Sequence, residues 1–371
     1  MKKIVIASDT YLPKIDGVTM FFKNVIPKLS KNFSITMIVP AYKRRIPEID
    51  NVKLIKNKVS RILKIASYSH PWPRLFAIKK AIKNCNVVWV HSIGPIGKVA
   101  LRYAKKYNKK VIASIHAIES QRFALCSEIT SRLKLFINSL ARAYERNFYN
   151  RCDLIIVSSK SVLKIVRSYG IETKAVIVPL GIDKRFVPKN KEACKSLLKI
   201  PSETFVIGYV GRISHEKNLR LLKQVFDELP IEKKLLLIVG QGSYWQKRVL
   251  KDSKNVRITG WVRYVEDYLN AMDVYVLPSF TETSSLSTLE AMACGLPVVV
   301  TPVGAIKEYI KNGYNGFLFN PRDKKALFKI LMKLYKNLGL RKKLASNARK
   351  SVQKFNWDLT VKKLVDLFEK C

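Results

Sequence analysis

FVIGYVGRISHEKN, residues 205–218, decides the architecture. Six residues suited to a buried strand end at Gly211, where the chain can turn sharply. A polar loop with Arg212 and Lys217 follows, and a helical pattern opens at Leu219. The stretch restarts a pattern already completed upstream. Strand candidates before it are Lys3–Ala7, Ser34–Val39, Val87–Val90, Val111–Ser114, Leu154–Val157 and Ala175–Val178. Helical patterns between them cover Val18–Leu29, Leu75–Lys83, Gly97–Lys106, Ile129–Tyr149 and Ser161–Tyr169. After the restart, strands are expected at Phe205–Val210, Leu235–Val239, Val256–Ile258, Val274–Leu277, Pro297–Thr301 and Gly316–Phe319. The helices between these are Leu219–Leu229, Tyr244–Lys251, Val265–Ala271, Ser287–Ala293, Ala305–Lys311 and Lys325–Asn337. Such alternation predicts parallel strands covered by helices on both faces. The fold class is therefore α/β: two Rossmann-like, doubly wound domains in tandem. The expected boundaries are 1–182, a linker at 183–203 with Pro188 and Pro201, and 204–355. A last helix within 356–371 has no strand after it and is expected to pack back on the N-terminal domain.

The chain has 371 residues, enough for two domains of ordinary size. Its apolar runs are too short to span a bilayer. The opening MKKIVIASD has a very short apolar run before Asp9, which fits a first strand better than a signal peptide. Six scattered cysteines without a Cys-x-x-Cys pair fit a reducing, cytoplasmic setting and argue against structural zinc.

Charge is the outlier. The chain carries 69 Lys/Arg against 27 Asp/Glu, a net +42. Residues 1–180 hold 34 basic and 9 acidic residues, and 51–110 hold fifteen basic and no acidic residue. A field of this sign draws polyanions: an anionic membrane, a nucleic acid or a phosphorylated substrate. A lysine-rich composition without a partner also accounts for it. No nucleic-acid-binding motif is present, so no specific nucleic acid is expected.

Ligands of doubly wound sheets sit beyond the carboxyl ends of the strands, and with two such domains the cleft between them is the expected site. Neither SDTYLPKIDGV nor GRISHEKN fits Gly-x-Gly-x-x-Gly, which argues against NAD or FAD. Arg212 and Lys217 leave one strand end. A guanidinium grips phosphate in two-pronged fashion and an ammonium adds a point charge. The segment FTETSSLSTLEAMACGLPVVVT, residues 280–301, leaves another strand and enters a helix. Backbone N–H groups of its first turn, around Ser284, Ser285 and Leu286, suit an anion. Glu282 before that helix and Glu290 within it suit the paired hydroxyls of a sugar or a ribose. His215 is assigned no role.

The spacing of Glu282 and Glu290 resembles the Glu-x7-Glu motif of retaining glycosyltransferases of family 4 (glycosyltransferase group 1), which have the two-domain GT-B fold. The resemblance runs the length of the chain: SDTYLPKIDGVT, VVWVHSIGPIG, ASIHAIE, VIVPLGID, GRISHEKN, LLIVGQGS, VRITGWV, DVYVLPS, LEAMACGLPVV and GYNGFLF occur in the family's order. It implies that Arg212 and Lys217 hold a nucleotide diphosphate, that Glu282 contacts the donor sugar and that Glu290 contacts the ribose. It implies that Gly17, after Asp16, lets backbone N–H groups approach the distal phosphate. His116 would face the donor sugar near the reacting carbon, and His91 and Asp16 would touch donor or acceptor. Two positions depart from the family pattern. Ser284-Ser285 stands where Phe-Gly or a similar pair is common, and Leu180 stands where Asn is common.

The resemblance implies transfer of a hexose from a UDP- or GDP-linked donor to an acceptor hydroxyl with an α linkage. It implies no catalytic metal and no cofactor beyond the nucleotide sugar, and no Asp-x-Asp element is present. The family's proposed route is same-face attack through an oxocarbenium-like state. The N-terminal half would carry the acceptor. Basic residues beside aromatics in SYSHPWPRLFAIKKAIKN and RLKLFINSLARAYERNFYNR fit an interfacial face. The acceptor is accordingly expected to be a membrane lipid or lipid-linked glycan, with the protein peripheral on the cytoplasmic face. A GT-B sugar-nucleotide epimerase and a basic nucleic-acid-binding protein are the rival readings. Donor base, hexose and acceptor stay open.

Overall fold

The computed structural model describes residues 1–42, 48–65, 68–121, 131–242, 247–248, 250 and 255–371. They form two compact units: Met1–Gly181 with Trp357–Cys371, and Ile182–Asn356.

The first unit holds β1 (Lys3–Ala7), α1 (Gly17–Leu29), β2 (Ser34–Pro40), β3 (Val52–Asn57), β4 (Val59–Ile65) and β5 (Tyr68–Pro71). It continues with α2 (Leu75–Lys83), β6 (Val87–Val90), α3 (Pro95–Lys106), β7 (Lys110–Ser114), α4 (Ser131–Asn150), β8 (Leu154–Val157), α5 (Lys160–Ser168) and β9 (Ala175–Ile177). Seven parallel strands run in the order β3-β2-β1-β6-β7-β8-β9. Strands buried on both faces explain the unbroken apolar runs IVIA and VVWV. The order reverses at β1, so the chain leaves β1 and β6 toward opposite faces and opens a crevice at their carboxyl ends. α1 starts on a capping box: the Asp16 carboxylate accepts from the Thr19 N–H, and the Thr19 hydroxyl accepts from the Asp16 N–H.

The second unit holds α6 (Lys191–Leu197), β10 (Phe205–Val210), α7 (Leu219–Glu228), β11 (Lys234–Val239), β12 (Val256–Gly260), α8 (Val265–Asn270) and β13 (Val274–Leu277). α9 (Leu286–Ala293), β14 (Val298–Val300), α10 (Ile306–Tyr309), β15 (Phe317–Leu318), α11 (Lys324–Lys336) and α12 (Leu338–Val352) complete it. Its sheet is also parallel, β12-β11-β10-β13-β14-β15, and reverses at β10. The last helix, α13 (Trp357–Glu369), belongs to the first unit. Its Trp357 meets Phe21, and its Phe368 meets Phe33 and Trp89 edge to face.

Several elements differ from expectation. β3 extends the first sheet, and β4 and β5 form an antiparallel pair in a stretch given no element from sequence. α12 was likewise unassigned. The expected helix Tyr244–Lys251 lies mostly outside the described residues. The segment 183–203, expected as a linker, is built into the second unit. Phe186, Cys194 and Ile200 are in its core. The Lys195 ammonium is buried, donates to the carbonyls of Ser202 and Thr204, and pairs with Asp273. The two prolines suggested a spacer, but apolar residues between polar ones gave α6 a face to bury.

Candidate functional site

In the second unit, Arg212 and Lys217 follow β10 and Glu282 follows β13, so all three stand at the reversal point of the sheet. Gly211 makes the exit from β10 at φ +150°, a region open to glycine. The Lys217 ammonium lies 2.5 Å from Glu282 Oε1, and the Ser279 hydroxyl donates to the same oxygen at 2.9 Å. The Arg212 guanidinium pairs with Glu216 at 3.0 Å. Glu216 is buried, and the charges of Arg212 and Lys217 help hold its carboxyl below the usual range against the opposing effect of burial. Sequence reasoning passed over Glu216, although its i, i+4 spacing from Arg212 was visible.

α9 begins directly after this loop. Its N-cap, Ser285, is in the left-handed region at φ +42°, and its hydroxyl oxygen accepts from the Thr288 N–H. Here the family's glycine would relax the backbone, while serine supplies the cap. The Ser284 hydroxyl is buried and makes no hydrogen bond. Leu286 opens the first turn. Gly304, at φ +55°, lets a neighbouring loop close over this one: a Cβ there would fall 2.1 Å from the Glu282 carbonyl oxygen. The Ala305 N–H donates to the Thr283 carbonyl alongside. Glu290, on α9, lies in the field of Arg185, Asp183 and Glu266. Burial pushes its carboxyl up to about 7, with Arg185 opposing and the two acids adding. Arg185 was not singled out from sequence, since only folding brings it to Glu290.

In the first unit, His91 follows β6 and His116 follows β7. Their rings stack with centroids 5.0 Å apart, and His91 Nδ1 lies 2.7 Å from His116 Nε2. His91 is 3% exposed, enclosed by Phe21, Phe22 and Trp89, and its Nε2 has no hydrogen-bond partner. It therefore stands behind His116 rather than open to a donor or acceptor. Burial lowers both imidazoles, His116 to about 4, with Asp16 opposing. The Asp16 carboxylate is engaged by the Thr10 hydroxyl and the Thr19 N–H. Gly17 is exposed, with open space where a Cβ would project.

Residues 15–186 match a family model described as Glycosyltransferase Family 4, and residues 204–337 match one described as Glycosyl transferases group 1. An alpha-monoglucosyldiacylglycerol synthase of Acholeplasma laidlawii is 25% identical over 99% of this chain and 96% of that protein. A D-inositol 3-phosphate glycosyltransferase of Corynebacterium jeikeium is 30% identical over 62% of this chain, and the match spans 60% of that protein. Among solved structures, a sucrose-phosphate synthase from Thermosynechococcus elongatus superposes with a TM-score of 0.81 at 18% identity, over 100% of this chain and 99% of that one. The likeness shows the GT-B fold. With both halves matched and the two reversal points in place, the chain belongs to the family 4, group 1 glycosyltransferases.

Proposed function

We propose that the protein is a retaining hexosyltransferase that takes its sugar from a nucleoside diphosphate and passes it, with an α linkage, to a hydroxyl of a membrane lipid or lipid-linked glycan. The observation that carries the donor half is the Lys217–Glu282 pair at the reversal point of the second sheet, beside the N-terminus of α9. Lys217, Arg212 and the N–H groups around Ser284, Ser285 and Leu286 would hold the diphosphate and stabilise it as it leaves. The unsatisfied Ser284 hydroxyl supplies one further donor. Glu282 would accept from the sugar hydroxyls and Glu290 from the ribose. Gly17 would leave room for a phosphate near α1. His116 would contact the donor sugar as a neutral imidazole. Attack comes from the face the diphosphate leaves, and the departing phosphate oxygen takes the acceptor proton. No metal or cofactor is assigned a step.

The lipid half is supported by exposed apolar side chains in two basic stretches of the first unit. Trp72, Leu75 and Phe76 lie before and on α2, beside Arg74, Lys79 and Lys80. Leu135, Phe136 and Leu140 lie on α4. Apolar residues ringed by basic ones suit an anionic bilayer surface. No helix among the described residues is long and apolar enough to cross a membrane, so the association proposed is peripheral. Likeness to a diacylglycerol-directed synthase favours the same acceptor class.

Thermal-shift titration with UDP-, GDP- and ADP-sugars, followed by transfer assays onto diacylglycerol and polyprenyl-linked acceptors, tests the reading. One sugar nucleotide should raise the melting temperature and serve as donor in the presence of EDTA. Absence of any shift and any transfer overturns the donor half. Free epimerised sugar nucleotide as the product would favour an epimerase.

A further inference from the structure

The two halves of α4 have different neighbours. In its C-terminal half Glu145, Phe148 and Tyr149 are buried on the sheet. The Tyr144 hydroxyl donates to the Ile93 carbonyl, just past the end of β6. Residues 131–143, about 20 Å of helix, precede that contact. There Leu135 is 70%, Phe136 60% and Leu140 55% exposed. At about 100° per residue Phe136 and Leu140 lie on the side of the helix away from Glu145, Phe148 and Tyr149, while Leu135 flanks the face that carries Tyr149. Phe136 and Leu140 are not unfinished contacts with the sheet. Residues 131–144 contain three basic and no acidic side chains, which complements an anionic surface.

Glu145 joins that helix to the loop of His116. Its side chain is 2% exposed. Oε1 accepts from the N–H groups of Glu119 at 2.6 Å and Ser120 at 3.2 Å, and Oε2 accepts from the Ser120 hydroxyl at 2.6 Å. A small cavity lined by Ile115, Ala117, Glu145, Tyr149 and Tyr169 lies beside the same loop.

We infer that α4 is a lever: seating Leu135, Phe136 and Leu140 in an anionic bilayer immobilises the helix, and Glu145 carries that order to the loop of His116. Glu145 is thus a positioning residue for His116. The inference rests on the membrane reading above. It adds that docking and the order of the His116 loop are linked.

The full chain is mixed with vesicles of equal parts phosphatidylcholine and phosphatidylglycerol, or with phosphatidylcholine alone. Sedimentation reads docking, and hydrogen exchange at Glu119 and Ser120 reads the loop. Wild-type protein should sediment with the anionic vesicles, and the two amides should slow by about tenfold. Phe136→Ser with Leu140→Ser should lose both effects. Glu145→Leu, which removes both acceptor oxygens at similar size, should sediment like wild type without the slowing. Where that variant fails to fold, Ser120→Ala, which removes one bond only, should show a reduced slowing at residue 119. Wild-type sedimentation with unchanged exchange overturns the lever and leaves docking intact. Failure to sediment overturns both. Full slowing in the folded Glu145 variant, or in Ser120→Ala where it replaces that variant, removes Glu145 from the role.

Discussion

Lys217 and Glu282, 65 residues apart in sequence, share a 2.5 Å ion pair at the point where the second sheet reverses direction. Each neutralises the other in a partly buried setting. A diphosphate arriving there would meet an ammonium already held in place rather than one that must be ordered on binding.

Replacing Lys217 or Glu282 with alanine should lower sugar transfer by about 10²-fold or more. The exchanged pair Lys217→Glu with Glu282→Lys separates charge balance from function. It keeps an attraction between the two positions but sets a carboxylate against the phosphate. The expected outcome is a melting temperature above that of either single variant, with transfer still absent. Transfer restored by the exchange would show that the pair is structural only.

Glu290 should make donor affinity depend on pH. Its carboxyl, pushed up to about 7, is largely protonated at pH 6 and ionised at pH 8. Ribose hydroxyls donate more strongly to the ionised form. Affinity should therefore rise with pH, with a midpoint near 7. Arg185→Gln removes the charge that opposes the shift and should move the midpoint upward. Calorimetric titration of the donor across this range checks both, and Glu290→Gln should flatten the profile.

The histidine pair should make stability fall on acidification. Both imidazoles have folded values below the ordinary one, so the unfolded chain binds more protons as pH falls from 6.5 toward 4. Their stabilising contribution is complete above pH 6.5 and is lost toward pH 4. For His116 alone this amounts to at most about 3 kcal/mol. His91→Phe removes one titrating ring and keeps an aromatic in the Phe21, Phe22 and Trp89 enclosure. Urea melts at pH 7.5 and 5 should show a smaller loss in this variant. Its turnover should fall as well, because phenylalanine cannot hold His116 Nε2.

Ser285→Gly should stay within about 1 kcal/mol of wild-type stability, since the relaxed left-handed backbone offsets the lost cap. Ser285→Val should cost about 2 kcal/mol or more, because a β-branched residue strongly resists φ +42° and also lacks the cap. Denaturant melts of the two variants decide this. Equal stability would mean that the loop has relaxed away from the left-handed form.

The sheets, their parallel strands and the loops bearing Arg212, Lys217, Glu282 and His116 were legible in the chain itself. Strands buried on both faces must be apolar throughout, and strand ends that hold anions carry basic residues within a few positions of a glycine turn. β3 and the β4–β5 pair were not legible, because VKLIKN and VSRILKI break the apolar alternation that marks a strand and YSHP is too short to show it. What only the tertiary structure decided is pairing across distance: Lys217 with Glu282, His91 behind His116, Arg185 against Glu290, Glu145 under the Ser120 loop. Burial and hydrogen bonding depend on which strand ends become neighbours. Sheet order sets that, and no local run of residues records it.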